Sequence, residues 1–406
     1  MVYFDRPTYL AKLEGYVDTP FAKVVMGMRR CGKSALLSLF HDRLLSRGVA
    51  PERVIQLNFD LLENATLCEP DALNTYISSR LPDQGPLYVL LDEVQEVDRW
   101  ERVVNSLIAA GRTDVYLTGS NSKLLSSELA TYIAGRYVSI EISTLSFSEF
   151  LSFARQSGQG PDDIRAQFNR YLVRGGFPVL FSADYSEEQV RQLVSDIYAS
   201  TLLRDVLTRK NIRSPELFER VALYALDNVG NTFSARRVSD FLKSESKSIT
   251  HQTVADYLAA LGEAYVLHKT PRFDLRGKTH LATQEKYYAG DHGLINALLG
   301  YSATHLPGIL ENIVQAELRS RGYQVSIGKL GENEVDFVAQ RQDERLYVQV
   351  AASILDPATR QREYAPLLAI RDSYPKYVLT LDDLASGTTE GIRHLRIPDF
   401  LLAQGW

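Results

Sequence analysis

The chain has little of what staples or anchors many other classes of protein. Its 406 residues hold two cysteines, Cys31 and Cys68. That excludes a disulfide framework and a four-ligand zinc site, and it points to a reducing, cytoplasmic compartment. No apolar run approaches the roughly 18 residues of a membrane span. Asp5, Arg6, Lys12 and Glu14 also interrupt the N-terminus where a signal peptide would need an apolar core. An excess of positive charge is missing as well: 45 Lys and Arg stand against 50 Asp and Glu, for a net charge of −5. The whole chain is therefore no polyanion binder, and any nucleic-acid surface has to be local. Neither internal repeats nor low-complexity tracts occur. What is there, 45% hydrophobic and 23% charged residues, is the make-up of a globular protein with chain enough for about two to four domains.

Through the first 145 residues, short apolar runs alternate with helical patterns. The runs lie at Lys23–Met26, Val54–Leu57, Leu87–Leu91, Val115–Leu117 and Val138–Ile142, and their alternation predicts a mostly parallel sheet covered on both faces. One intervening helix is clear from Val97, Trp100, Val103, Val104, Leu107 and Ile108, which share one face at helical spacing. From about 146 the pattern turns helical, broken by Ser157–Asp163 and by Gly175-Gly176 with Pro178. Helices expected over Glu216–Asp227, Ala235–Leu242 and Thr250–Glu263 precede β-like segments at Tyr265–Lys269 and Thr279–Tyr288, which is the winged-helix order. After Gly300–Gly308, a linker by composition, the pattern reads helix (Ile309–Arg321), strands (Tyr323–Ile327, Glu334–Ala339, Arg345–Ala351), helix (Thr359–Arg371) and strand (Tyr377–Thr380).

The strongest chemical signal is Gly27-Met28-Arg29-Arg30-Cys31-Gly32-Lys33-Ser34, a complete G-x4-G-K-S between a strand and a helix that continues with Ala35. The glycines permit a tight turn whose N–H groups point inward, and the helix N-terminus adds partial positive charge where a phosphate sits. Lys33 can reach the β- and γ-phosphates, and the Ser34 hydroxyl suits a Mg²⁺ ligand. Within the loop, Arg29 and Arg30 either brace it, touch phosphate or face solvent, and Cys31 reads as packing.

A second element agrees. Leu87-Tyr88-Val89-Leu90-Leu91-Asp92-Glu93 is an apolar strand ending in two acids, at the sheet edge where ligands of such folds bind. Asp92 would hold Mg²⁺ and Glu93 would polarise the attacking water. A third strand runs into Thr118-Gly119-Ser120-Asn121-Ser122. Asn121 or Ser120 would sense the γ-phosphate or the lytic water, or else cap the next helix; the sequence does not choose between them.

These motifs carry a resemblance. Residues 20–150 resemble the AAA-type P-loop ATPases of the additional-strand class. The whole chain is similar to a bacterial and archaeal group that joins such an ATPase domain to a C-terminal domain of unknown function. The resemblance rests on GMRRCGKS (27–34), LLDEVQ (90–95), YLTGSNSKLL (116–125), AGRY (134–137), LSFSEF (145–150), RGGFP (174–178), KYYAGDHGLINAL (286–298), ENIVQAEL (311–318) and EVDFVAQ (334–340). It implies an α/β three-layer P-loop NTPase domain at 1–145, a helical lid at 146–212, a winged-helix domain at 213–300 and an α/β restriction-endonuclease-like domain at 301–406. It also implies ATP as ligand, Mg²⁺ as cofactor and ATP hydrolysis as activity. Arg136 in AGRY is the candidate for an arginine projected onto the γ-phosphate of a neighbouring copy, in a homo-oligomer. Arg174 and Arg204 are weaker candidates for a lid arginine.

The last unit looks like the PD-(D/E)xK nuclease fold, with Glu311, Asp336 and then Tyr347-Val348-Gln349-Val350-Ala351. An active member places Asp, Glu and Lys around a divalent metal. Here Gln349 and Ala351 replace the acid and the lysine, and nothing places Lys329 as a substitute, so a degenerate domain without nuclease activity is expected. Arg236, Arg237, Lys243, Lys247, Lys269, Arg272, Arg276 and Lys278 give the winged-helix region a modest basic excess. With His251, Gln252, Thr253 and Tyr257 on the recognition helix, DNA is the alternative partner, under ATP control. A slow nucleotide switch for a protein partner is the third reading.

Overall fold

The computed structural model describes the chain apart from residues 1–3, 120–134, 161–162, 208–211, 245–248, 278 and 384–385, and apart from the side chains at 203–205, 280–284 and 386. It divides into two compact units, residues 1–142 with Glu263–Tyr265, and residues 143–262 with 266–406.

The first unit is built on five parallel strands: β1 (Ala22–Met26), β2 (Val54–Asn58), β3 (Leu87–Asp92), β4 (Thr113–Gly119) and β5 (Tyr137–Glu141), in the order β2-β3-β4-β1-β5. Every residue of β1 and β3 is buried. This is why they read as unbroken apolar runs: a parallel strand is covered on both faces. Helices Lys33–Ser46, Pro70–Ser78 and Trp100–Ala110 link successive strands. The last of these buries Val103, Val104 and Leu107, the face that the spacing predicts. One face of the sheet packs Val25, Leu90 and Tyr116 against Leu36, Leu37, Phe40 and Leu44 of the helix Lys33–Ser46.

Strand β4 lies between β1 and β3, so the strand that precedes the phosphate loop and the strand that ends in acids are separated by one other. The register pairs Met26 with Gly119 and Leu91 with Leu117. Gly27, Asp92 and the end of β4 therefore emerge together at one edge of the sheet.

The second unit begins with helices Phe147–Gln156, Ile164–Arg174 and Glu187–Thr201. The first and third start in reciprocal capping boxes, Ser146 with Glu149 and Ser186 with Gln189. Helices Pro215–Asp227, Ala235–Ser244 and His251–Glu263 follow, then strands β6 (Leu267–Asp274) and β7 (Thr279–Ala289). Beyond the short helix Gly293–Leu299 come the helix Leu306–Ser320, strands β8 (Gln324–Leu330), β9 (Asn333–Arg341) and β10 (Glu344–Val350), the helix Pro357–Leu368 and β11 (Lys376–Thr380). Strands β12 (Ser386–Thr389) and β13 (Ile392–Arg396) and the helix Ile397–Leu402 complete the chain; the sequence pattern does not announce these three.

The hairpin expected as a wing is not confined to the three helices before it. Strand β6 runs parallel to β8, pairing Arg272 with Ile327, so β6 and β7 extend the C-terminal sheet to eight strands in the order β12-β13-β11-β10-β9-β8-β6-β7. The segment expected as a linker already contains the start of the helix Leu306–Ser320.

Candidate nucleotide site

The loop between β1 and the helix Lys33–Ser46 has a shape that its residue types impose. At Gly27 a Cβ would lie 2.2 Å from the carbonyl oxygen of Ile142 and 2.9 Å from Cys31 Sγ, so only glycine fits where β1 leaves the sheet. At Gly32 φ is +102°, a left-handed turn into the helix that side chains resist. The helix then starts without a side-chain cap and without an acid in its first turn. Its N-terminal N–H groups and dipole are thus left for an anion.

Lys33 is buried, and its ammonium donates to the carbonyl oxygens of Gly27 and Met28 at 3.0 and 3.1 Å, which lays the charge across the loop. Met28 and Cys31 are buried, Arg29 is half-buried and Arg30 is exposed. Burial pushes the Cys31 thiol above its ordinary pKa, consistent with packing. Ser34 and Ala35 open the helix, and the Ser34 hydroxyl faces the Asp92 carboxyl and favours its charged form. A hydroxyl and a buried carboxyl meeting beside an uncapped helix N-terminus are a fitting donor set for Mg²⁺, with water and phosphate oxygens completing its shell.

The acids at the end of β3 are held from β4. Thr118, fully buried, donates from its hydroxyl to Asp92 Oδ1 and accepts the backbone N–H of Glu93 at 2.9 Å. Burial raises the Asp92 pKa above the usual carboxylate value, against the pull of the Thr118 and Ser34 hydroxyls. Glu93 sits in the left-handed region at φ 54°, and its carboxylate accepts a hydrogen bond from the Gln95 side-chain amide. On the other side of the loop, the Arg6 guanidinium donates to the Cys31 carbonyl at 3.1 Å and lies over the Tyr9 ring.

The motifs alone single out Lys33, Ser34, Asp92 and Glu93, and the structure gathers all four at one sheet edge. Thr118, Gln95 and Arg6 escape notice in the sequence. Thr118 had a faint signal, since it immediately precedes the residues expected to sense phosphate. Asn121 and Ser120 themselves lie outside the described residues. Arg136 stands at the start of β5, where its carbonyl accepts the Ala22 N–H and its side chain is exposed and donates to Asn105 Oδ1 at 3.2 Å. That is the opposite end of β1 from Gly27, roughly 15 Å away at the rise of a strand, so Arg136 does not face the phosphate loop of its own chain.

In the second unit, Arg174 is buried and paired with Glu187 at 2.6 Å, which accounts for it without nucleotide. The side chain of Arg204 is outside the described set. RGGFP and AGDHGL form one structural device: Asp291 accepts the N–H groups of Gly176 and Gly293, each at 2.8 Å. Beside it, His292 Nε2 donates to the Tyr171 carbonyl. Burial holds the His292 imidazole below its ordinary pKa.

Tyr257 is a core residue packed edge-on to Phe218, so it does not reach outward from the expected recognition helix. Gln252 on the same helix donates to Asp256. Lys269 pairs with Glu285 at 2.7 Å, and Arg236 and Lys243 each approach Asp240 at 3.9 Å. Lys247 and Lys278 fall outside the described residues. Gln349 donates to Glu363 and accepts the Asp336 N–H, and Ala351 packs into an apolar cluster with Ile354 and Tyr364. Lys329 lies in β8, opposite Glu334 of β9 in the antiparallel register. No helix among the described residues is long and apolar enough to cross a membrane.

Residues 19–151 match the family model of an AAA domain, and residues 165–305 match a domain of unknown function, DUF8612. An uncharacterized protein of Haemophilus influenzae is 37% identical over 401 residues, spanning 98% of both chains. An uncharacterized protein of Methanocaldococcus jannaschii is 29% identical over 356 residues, 84% of this chain and 76% of its own. Among solved structures, a Walker-type ATPase of Pyrococcus abyssi superposes with a TM-score of 0.51 at 16% identity, covering 73% of this chain and 96% of that one; the likeness is one of fold. The chain thus belongs to the family of the Haemophilus protein, in which an AAA-family P-loop ATPase domain is joined to a C-terminal domain of unknown function.

Proposed function

We propose that the protein is a Mg²⁺-dependent ATPase whose nucleotide state governs the packing of its C-terminal region. The observation that carries this reading is the convergence of Lys33, Ser34, Asp92 and Glu93 at one sheet edge, with Thr118 bonded to both acids. Lys33 would leave the loop carbonyls for the β- and γ-phosphate oxygens, and Ser34 and Asp92 would hold the metal. Bound Mg²⁺ neutralises charge on the phosphates during transfer. Glu93, kept in place by Gln95 and by the N–H bond to Thr118, accepts a proton from the attacking water. Arg136 faces away from its own loop, which fits action on the nucleotide of a neighbouring copy in a homo-oligomer.

Residues 306–380 run helix, three antiparallel strands, helix, parallel strand. This order supports a nuclease-like scaffold, and Gln349 and Ala351 support its lack of nuclease activity.

The test is phosphate release with Mg²⁺-ATP, with and without duplex DNA, for the parent, Lys33→Ala and Glu93→Gln. Lys33→Ala should lose productive binding, while Glu93→Gln should bind ATP and not hydrolyse it. Parent-level turnover by either variant would remove that residue from the mechanism. Turnover stimulated several-fold by DNA would make nucleic acid the regulated partner. Nucleotide that stays bound without turnover would make the protein a switch rather than a steady ATPase.

A further inference from the structure

Strand β7, strand β9 and the helix Leu306–Ser320 bring four charged side chains to one buried place. The Lys286 ammonium lies 3.2 Å from Glu311 Oε2, 3.0 Å from Glu334 Oε1 and 3.8 Å from Asp336 Oδ1. Lys286 is only 4% exposed. Around it, the Tyr288 hydroxyl donates to Glu311 Oε2 at 2.8 Å, the Val350 N–H to Asp336 Oδ2 at 2.8 Å, and Arg272 approaches Glu334 at 3.5 Å. Burial works against the ammonium, but Glu311, Asp336 and Glu334 together outweigh it and lift the lysine above its ordinary pKa.

Three carboxylates drawn together, Glu311 and Asp336 largely buried and Glu334 about a third exposed, need a cation among them, because each buried charge is costly unless it is paired. A divalent ion is one answer; a lysine with three donors is another. Glu311 and Asp336 are the two acids expected to hold a metal in a nuclease-like fold, and the ammonium sits between them. Among the described residues, no group of three or more His, Cys, Asp or Glu side chains is arranged to hold a metal ion.

We propose that Lys286 is the resident cation of this site. It takes the place of a divalent ion, so the native protein binds none here, and its removal opens a divalent-cation site on Glu311, Glu334 and Asp336. The same ammonium fastens the β6–β7 hairpin to the helix Leu306–Ser320 and to β9. The lysine absent at position 351 thus has a counterpart from another strand, serving as counter-ion. The proposal rests on the nuclease-like reading only for expecting a divalent ion, and loss of the ATPase reading would leave it standing.

The test is Mn²⁺ binding to the full-length protein without nucleotide, by titration calorimetry, for the parent, Lys286→Met, Asp336→Asn and Lys286→Met/Asp336→Asn. Asp92→Asn in every background removes the metal ligand of the nucleotide site. Lys286→Met should gain one saturable Mn²⁺ site, at least about tenfold tighter than any binding by the parent, and the double variant should lose it. Parent protein that binds Mn²⁺ in a manner abolished by Asp336→Asn would overturn the proposal, as would a folded Lys286→Met that gains no site. Should Lys286→Met fail to fold alone, Mn²⁺ should restore its native circular dichroism, and failure to do so would also overturn the proposal.

Discussion

Thr118→Val isolates the link between β4 and the acids of β3. Valine keeps the β-branched shape that a buried strand accepts, but it can neither donate to Asp92 nor accept from Glu93. A hydrogen bond to a charged group is worth about 1.5–3 kcal/mol. If that loss falls on the metal-bound state, kcat/KM for Mg²⁺-ATP should drop by roughly 10- to 150-fold. The orphaned Glu93 N–H costs a further ~1–3 kcal/mol, which falls on folding and should lower the melting temperature by several degrees. Nucleotide affinity measured in a chelator should hold, since Lys33 and the loop are untouched, while the Mg²⁺ concentration for half-maximal turnover should rise. Thr118→Ser, which keeps the hydroxyl, should recover most of the activity. A Thr118→Val protein that turns over within about threefold of the parent at an unchanged Mg²⁺ midpoint would refute the reasoning.

Other outcomes follow from the same geometry. Burial raises the Asp92 pKa, so its contribution to stability is present below the unfolded carboxylate value and is lost as pH rises through the folded one. Asp92→Asn should therefore raise the melting temperature of the nucleotide-free protein at neutral pH, by an amount that shrinks toward acid, and an identical pH profile for the two proteins would contradict this. At the far end of the sheet, Lys23 and Asp114 form a fully buried ion pair, supported by the Tyr116 hydroxyl and the Asp18 N–H. Asp114→Leu alone should cost about 3–5 kcal/mol in urea unfolding, whereas Lys23→Met/Asp114→Leu should be neutral or up to about 4 kcal/mol more stable; equal losses in both would count against the pair being an isolated charge problem. Mixing Arg136→Ala with Lys33→Ala should restore turnover that neither variant shows alone, because each supplies what the other lacks across an interface. No complementation would mean that Arg136 does not act in trans.

Much of the first unit is legible in the sequence because its signals are local. Buried parallel strands read as apolar runs, and the expected runs fall within about two residues of β1 to β5. The phosphate loop is a contiguous segment whose glycines answer to contacts within a few residues or to one neighbouring strand. Asp92 and Glu93 are found because a strand end is marked by where hydrophobicity stops. In the second unit the helices expected over Glu216–Asp227, Ala235–Leu242 and Thr250–Glu263 and most strands likewise fall close to where the pattern puts them, whereas the capping boxes at Ser146 and Ser186 come to light only in the structure.

Tertiary structure decided what depends on neighbours far along the chain. Thr118 meets Asp92 only because β4 lies beside β3, and Arg6, just ahead of the helix Pro7–Glu14, reaches Cys31 across 25 positions of the chain. The pairing of β6 with β8 is set by which sheet edge is open, a global property that no period in β6 or β7 encodes. Lys286 sits in a strand whose pattern says only that it is half-buried. Its meaning comes from Glu311, Glu334 and Asp336, brought from a helix and another strand to within 4 Å of one ammonium. Sequence fixes the chemistry a residue can perform, and packing decides which partners make it do so, because charge and hydrogen bonding act through a few ångströms of space and not along the chain.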